Sequence, residues 1–351
     1  MKIEVHSPTI RRKEMDAVLT AMVEEKIGPG ERSRLLLQTA KEQLRFDYAL
    51  ALRSPAIALQ LALKALELKE GDGVLVSALS PLYYTQVLSD LRLTPLYCDV
   101  SFSFPCISRE SVEKAIAAKP SEVAPRCIVL HHTLGFVPDT AAIASLGIPV
   151  IEDISQSYSP PPVEQDKETA VRDSSHGVFA ILGLEERDML TSGGGALLFA
   201  MNRRDGSMLR AFSGISPEYC MPDINAALAT VQFKEAARNF VRRQEIARAY
   251  TQSSLQTRHK RFVPLDGVEY NNYAFSLVLE AGLKEVQSYA RKKEIVIENA
   301  FGQSLAGSGI SDSLLCPAAY SLSLRTVVFP LYPRLRSKDA QLVSKLIMTL
   351  P

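Results

Sequence analysis

Residues 148–156 read Ile148-Pro149-Val150-Ile151-Glu152-Asp153-Ile154-Ser155-Gln156, an apolar run set directly against two acids and a polar turn. Such a run without polar alternation predicts a strand covered on both faces, as in a parallel sheet. Open parallel sheets bind ligands just beyond the carboxyl ends of their strands, where Asp153 and Gln156 fall. An acid there can pair with a protonated heteroaromatic nitrogen, and a Gln three residues later can donate to a ring hydroxyl. Capping of the following turn explains Asp153 on its own equally well.

Working outward, strand and helix patterns alternate. Residues 48–52, 74–78, 95–100 and 127–131 read as strands, with helical spacing over 56–68 and 111–118. This alternation predicts a mainly parallel α/β sheet with helices on both faces. Asp99 and His132 then join Asp153 at or near strand ends. Amphipathic helices are expected upstream, from Glu14 to Glu25 and from Arg32 to Leu44, parted by Gly28-Pro29-Gly30. Downstream, Pro160 to Ser175 reads as a polar surface loop, and 177–182 and 196–201 as strands. A long helix is expected over 223–250 with Asp223 as its capping residue. From about Ser253 the pattern becomes a compact unit: strands at 273–279, 295–297 and 326–330, helices at 283–293 and 338–348. Two domains are therefore expected, 1–253 and 254–351.

The 351 residues carry 40 basic and 39 acidic side chains, so no electrostatic footprint for nucleic acid or an anionic membrane is present. The clusters at Arg11-Arg12-Lys13 and from Arg258 to Arg261 read as solvated faces. The five cysteines are scattered, with no C-x-x-C pair, which argues against a disulfide framework or zinc site and for reduced, mostly buried thiols. With no apolar leader and no run long enough to span a bilayer, a cytoplasmic protein is expected.

Weaker signals carry little. His131 and His132 are adjacent on a strand and point to opposite faces, so they cannot share a metal. The run Ser192-Gly193-Gly194-Gly195 lacks the following G-K-[ST] of a phosphate loop and reads as a tight turn between strands.

Taken in order, ALALRSPAIALQLALKAL (49–66), GDGVLVSALSPLYY (71–84), LTPLYCDV (93–100), VLHHTLGFVPD (129–139), IPVIEDISQSY (148–158), SGGGALLF (192–199), RRQEIARAY (242–250) and VFPLYPRL (328–335) form a specific succession. Together they resemble the DegT/DnrJ/EryC1/StrS family of sugar aminotransferases, pyridoxal-phosphate (PLP) enzymes of fold type I. The resemblance implies a large domain with a mainly parallel sheet sandwiched by helices, a smaller C-terminal α/β domain, a homodimer with its site at the subunit interface, and a nucleotide-sugar ligand. It places Asp153 at the acid that pairs with the pyridine nitrogen and Gln156 beside the cofactor hydroxyl. Ser54 falls at the start of the phosphate turn, and His132 and Gly135 in the V-H-x-x-G turn.

The departures from the family pattern gather on the cofactor site. Ser54-Pro55-Ala56-Ile57 stands where the family has S-G-T-A, which removes an N–H and a phosphate-binding hydroxyl. Pro81 stands at the stacking aromatic, with Tyr83 and Tyr84 as nearby substitutes. Glu218-Tyr219-Cys220-Met221 replaces N-Y-R-M. Above all, the catalytic lysine position carries Glu185 counted from the strand before it, or Arg187 counted back from the glycine run, and no lysine occurs between Lys167 and Lys234. The family lysine forms an imine with the cofactor and then moves the proton. An arginine does not give up its proton, and a glutamate forms no imine.

Two functional readings follow. In the first, the scaffold has lost transamination and acts as a non-catalytic or regulatory protein that binds a nucleotide-sugar or a partner subunit, with no cofactor held. In the second it is an enzyme acting on a nucleotide-linked keto-sugar with PLP or pyridoxamine phosphate (PMP) bound without a covalent link. Lysine-free relatives run dehydration this way with a histidine at the lysine position, and Glu185 is the proton-transfer group here. Ordinary transamination would need a lysine from elsewhere, Lys167 being nearest in sequence.

Overall fold

The computed structural model describes residues 2–161, 177–280 and 282–351. In chain order, α1 (Arg12–Val23) and α2 (Glu31–Leu44) precede β1 (Tyr48–Leu52) and α3 (Pro55–Ala65). Then come β2 (Gly73–Ser77), α4 (Tyr83–Asp90), β3 (Thr94–Cys98), α5 (Arg109–Ala118), β4 (Pro125–His131), α6 (Thr140–Ala144) and β5 (Val150–Asp153). Beyond residue 176 follow β6 (Phe179–Gly183), β7 (Ala196–Ala200), α7 (Arg203–Arg210) and the long α8 (Asp223–Ser254). The C-terminal part holds β8 (Phe275–Val278), α9 (Leu283–Lys292), β9 (Glu298–Asn299), α10 (Pro317–Arg325), β10 (Thr326–Phe329) and α11 (Ser337–Met348).

The larger sheet runs β1-β7-β6-β5-β4-β2-β3. Its β3, β2, β4, β5 and β6 are parallel, while β7 is antiparallel to both β6 and β1. Every residue of β2, β5, β6 and β7 is buried, as expected of strands covered on both faces. One covering layer packs α3 and α4 on the sheet through Leu59, Leu63, Tyr84 and Leu88. The opposite layer packs α2 and α8 through Leu36, Ala40, Ala229 and Phe233. The smaller sheet, β8-β10-β9, is antiparallel and has its own core around Leu277, Val286, Val327 and Val343.

Two local expectations are corrected. Asp223 does not cap its own helix, whose N-cap is Pro222. Its carboxylate instead accepts the N–H groups of Gly30, Arg32 and Ser33, so it caps α2, where Gly30 offers no side chain. The strand expected at 295–297 pairs in the smaller sheet only at Glu298–Asn299, while Ile295 bridges to Ile3. Ile3 thereby packs in the C-terminal core rather than with the first 253 residues. The segment 162–176, with Lys167 and most of the expected polar loop, lies outside the described residues.

Candidate active site

β4, β5 and β6 end side by side, presenting His131, Asp153 and Gly183 at one edge of the larger sheet. Facing them across a cleft of about 530 Å³ are Glu298 to Ser304 from beside the smaller sheet. Among the described residues that line this cleft, none is a lysine.

Asp153 is buried, and its carboxylate is fully engaged. Oδ2 accepts the hydroxyls of Tyr84 at 2.7 Å and Tyr83 at 2.9 Å. Oδ1 accepts the Ser155 N–H at 3.1 Å and the Ser155 hydroxyl. A carboxylate offers about four acceptor sites, and here all four are taken. Neither tyrosine lines the cleft, and their rings meet edge-on at 4.9 Å. Burial first, and the Asp153 charge second, push both phenols well above their ordinary range, so they stay protonated donors.

Gln156 lines the cleft, and the carbonyl end of its side chain is engaged. Its Oε1 accepts the Leu134 N–H at 2.7 Å, and its main-chain oxygen accepts Asn271 Nδ2 at 2.7 Å. These bonds close the turn in which Leu134 and Gly135 adopt positive φ, 54° and 83°. A Cβ on Gly135 would collide with Asn271 Oδ1 and lie 2.7 Å from Tyr273 Cβ, so glycine is required there by both conformation and space.

Ser54 caps α3, its hydroxyl accepting the Ile57 N–H at 3.3 Å. Because Pro55 has no N–H, the helix start that would cradle a phosphate is left with little to offer. His132 is buried away from the cleft, with Nδ1 at 2.7 Å from Ser157 Oγ and Nε2 at 3.3 Å from Glu152 Oε2. The order Ser157, His132, Glu152 mimics a nucleophile relay, but neither Ser157 nor His132 lines the cleft.

The two residues at the expected lysine position part company. Glu185 is exposed, approaches the glycine run at Gly194, and does not line the cleft. Arg187 does line it, but bonds to Glu298 at 2.6 Å and so ties the two walls together. Sequence reasoning passed over Asp188, whose carboxyl lines the cleft and accepts the Glu185 N–H at 2.8 Å. Its Oδ2 hangs over Gly183, beside Ser155 Oγ and Pro55 Cγ. Burial first, then the charges of Asp153 and Glu185, raise the Asp188 carboxyl well above the usual range. No spacing rule flags Asp188, since it earns its place only through the fold of the 184–195 connection.

A sequence model of the DegT/DnrJ/EryC1/StrS aminotransferase family matches residues 8–170 and 191–348. The chain belongs to the DegT/DnrJ/EryC1/StrS aminotransferase family. The stretch that this match leaves out, 171–190, holds Glu185, Arg187 and Asp188. L-glutamine:2-deoxy-scyllo-inosose aminotransferase of Streptomyces lividus is 27% identical over 254 residues, 63% of this chain; the aligned part spans only 56% of that relative's length. A putative sugar aminotransferase of Streptococcus pneumoniae, Spr1654 in its PMP form, superposes with a TM-score of 0.85 at 18% identity, covering 99% of this chain and 97% of its own. GDP-4-keto-6-deoxy-D-mannose-3-dehydratase of E. coli, solved with hydrated PLP, superposes at 0.81 with 14% identity and 99% coverage of both chains. The fold is thus that of the PLP-dependent aminotransferases of fold type I.

PLP-type cofactors belong to this family, and the geometry above tests whether this member's residues fit one. They do not: Asp153, which the resemblance sets against a pyridine nitrogen, already accepts four hydrogen bonds, the helix start at Ser54-Pro55 offers few N–H donors, and no lysine is among the described residues lining the cleft. Among the described residues, no helix is long and apolar enough to cross a membrane.

Proposed function

We propose that this DegT/DnrJ/EryC1/StrS family member has lost amino transfer and serves as a binding or regulatory protein, its interdomain cleft taking a nucleotide-sugar ligand. The observation that carries this reading is the closure of the Asp153 carboxylate by Tyr83, Tyr84 and Ser155. A pyridinium N–H can reach that carboxylate only by displacing a buried donor, at a cost of about 1–3 kcal/mol for each hydrogen bond left unmade. A homodimer, which rests on the family resemblance, and a cytoplasmic protein, which rests on the sequence lacking a long apolar run, are part of the same proposal.

The catalytic names of the relatives support a second reading better than this one, namely a lysine-free enzyme acting on a nucleotide-linked keto-sugar with PLP or PMP held non-covalently. Asp188 favours it too, since a carboxyl in the cleft with its affinity for protons raised is suited to proton transfer.

One experiment separates the two. The purified protein is incubated with PLP and with PMP, desalted, and examined for retained cofactor, an imine absorption band and a borohydride-trapped adduct. Retention of neither supports lost amino transfer. Retained PMP without an adduct supports the lysine-free enzyme, and a trapped lysine adduct overturns both.

A further inference from the structure

Arg243, on α8, is 6% exposed and lines the cleft between the two sheets. Its Nη1 donates to three main-chain oxygens, those of Leu331 at 2.8 Å, Tyr273 at 2.9 Å and Asn272 at 3.4 Å. These carbonyls orient the guanidinium without neutralising it. Among the described residues no carboxylate is ion-paired with Arg243, and its Nε and Nη2 have neither an acceptor nor complete enclosure.

A buried charge without a counter-charge is costly, and an arginine cannot escape the cost by losing its proton. Burial brings the group down only to about 10, so it stays cationic at neutral pH. Its neighbours in the cleft do not compensate it. Arg187 and Glu298 satisfy each other. The Asp188 carboxyl is biased toward its neutral form by burial. His6 is biased toward neutral imidazole, chiefly by burial, with Arg243 and Arg187 adding to the effect. Among the described residues the cleft therefore holds one positive charge without a counter-charge, fixed in orientation, with the Nε–Nη2 edge of its planar fork unpaired.

We propose that Arg243 anchors an oxyanion subsite in this cleft, gripping a carboxylate or phosphate group of a small ligand through its Nε–Nη2 edge. That edge suits two parallel hydrogen bonds to one anionic group, the geometry at which arginine outperforms lysine. The proposal rests on the cleft being the ligand site, and not on the loss of amino transfer.

The test uses cofactor-free full-length protein at constant ionic strength. Inorganic phosphate and succinate are titrated calorimetrically in separate arms, which distinguishes the two sources of the oxyanion. Amide hydrogen exchange with and without each anion locates the binding. Saturable binding of at least one anion is expected, with slowed exchange in α8 around Arg243 and in the Leu331 segment. Arg243→Lys keeps the charge but loses the fork, and weakens that binding by about tenfold or more. The proposal is overturned if neither anion binds, if protection appears elsewhere, or if Arg243→Lys binds as tightly as the parent. Should the variant fail to fold, the exchange map of the parent protein decides alone. A lysine adduct trapped in the cofactor experiment would sink the proposed loss of amino transfer and leave this result standing.

Discussion

The Tyr84 hydroxyl donates to Asp153 Oδ2 across 2.7 Å, joining the first turn of α4 to the end of β5 at a point sealed from water. A donor from the protein itself thus occupies the acid that the family pattern assigns to a cofactor. Tyr84→Phe removes only that donor. It is expected to destabilise the protein by about 1.5–3 kcal/mol, the usual worth of a buried hydrogen bond to a charged group, read from urea unfolding midpoints. An unchanged midpoint would mean that the hydroxyl is not engaged.

The same two phenols set a prediction in alkali. Their folded-state affinity for protons is raised, so their contribution to stability is complete below the ordinary tyrosine range near 10 and is lost as pH climbs above it. Ultraviolet titration of the native protein should show Tyr83 and Tyr84 silent until unfolding.

Asp188 gives the acid-side counterpart. Its carboxyl is raised in the folded state, chiefly by burial, so folding is favoured most below the ordinary aspartate range and progressively less as pH rises through the folded value. Asp188→Asn keeps an acceptor for the Glu185 N–H and removes the titration. The variant should be more stable than the parent at pH 7 and show a flatter stability profile above about pH 4. A steeper profile would reverse the assignment.

Gly135→Ala tests the turn behind Gln156. Positive φ and the contact with Asn271 act together, and a loss of about 3 kcal/mol or more is expected, visible as a lowered calorimetric midpoint.

Restoring an amine should not restore the chemistry. Arg187→Lys places one at a position lining the cleft, yet Asp153 remains engaged by two tyrosines, so no borohydride-trapped PLP adduct is expected at residue 187 by peptide mass spectrometry. Efficient trapping there would show that the tyrosines yield readily to the cofactor.

Much of the sheet was legible because parallel strands buried on both faces are unbroken apolar runs; Tyr48–Leu52 matches to the residue. Ile295 and Ile297 misled because their burial comes from packing in the C-terminal core, and the pairing with β10 starts only at Glu298. Helix α10 escaped although Pro317 stands in its first turn, because the preceding Cys316 supplies no capping side chain to confirm the start. At the sheet edge, the place of Asp153 and Gln156 at and just beyond the end of β5 was legible. What Tyr83 and Tyr84 do was not, since their direction depends on how α4 settles against a strand some seventy positions later. Arg243 stood in plain view within RRQEIARAY, but its lack of an acidic partner among the described residues is a property of three dimensions.

The bridge between Ile3 and Ile295 makes the chain a closed loop in mechanical terms. Its beginning is clasped by its end, so pulling the termini apart would peel residues from the C-terminal core before the larger sheet felt any load. A protein cut at residue 253 would leave the second fragment without the strand residue that completes it, and trimming the first ten residues should weaken the part of the molecule farthest from them in sequence.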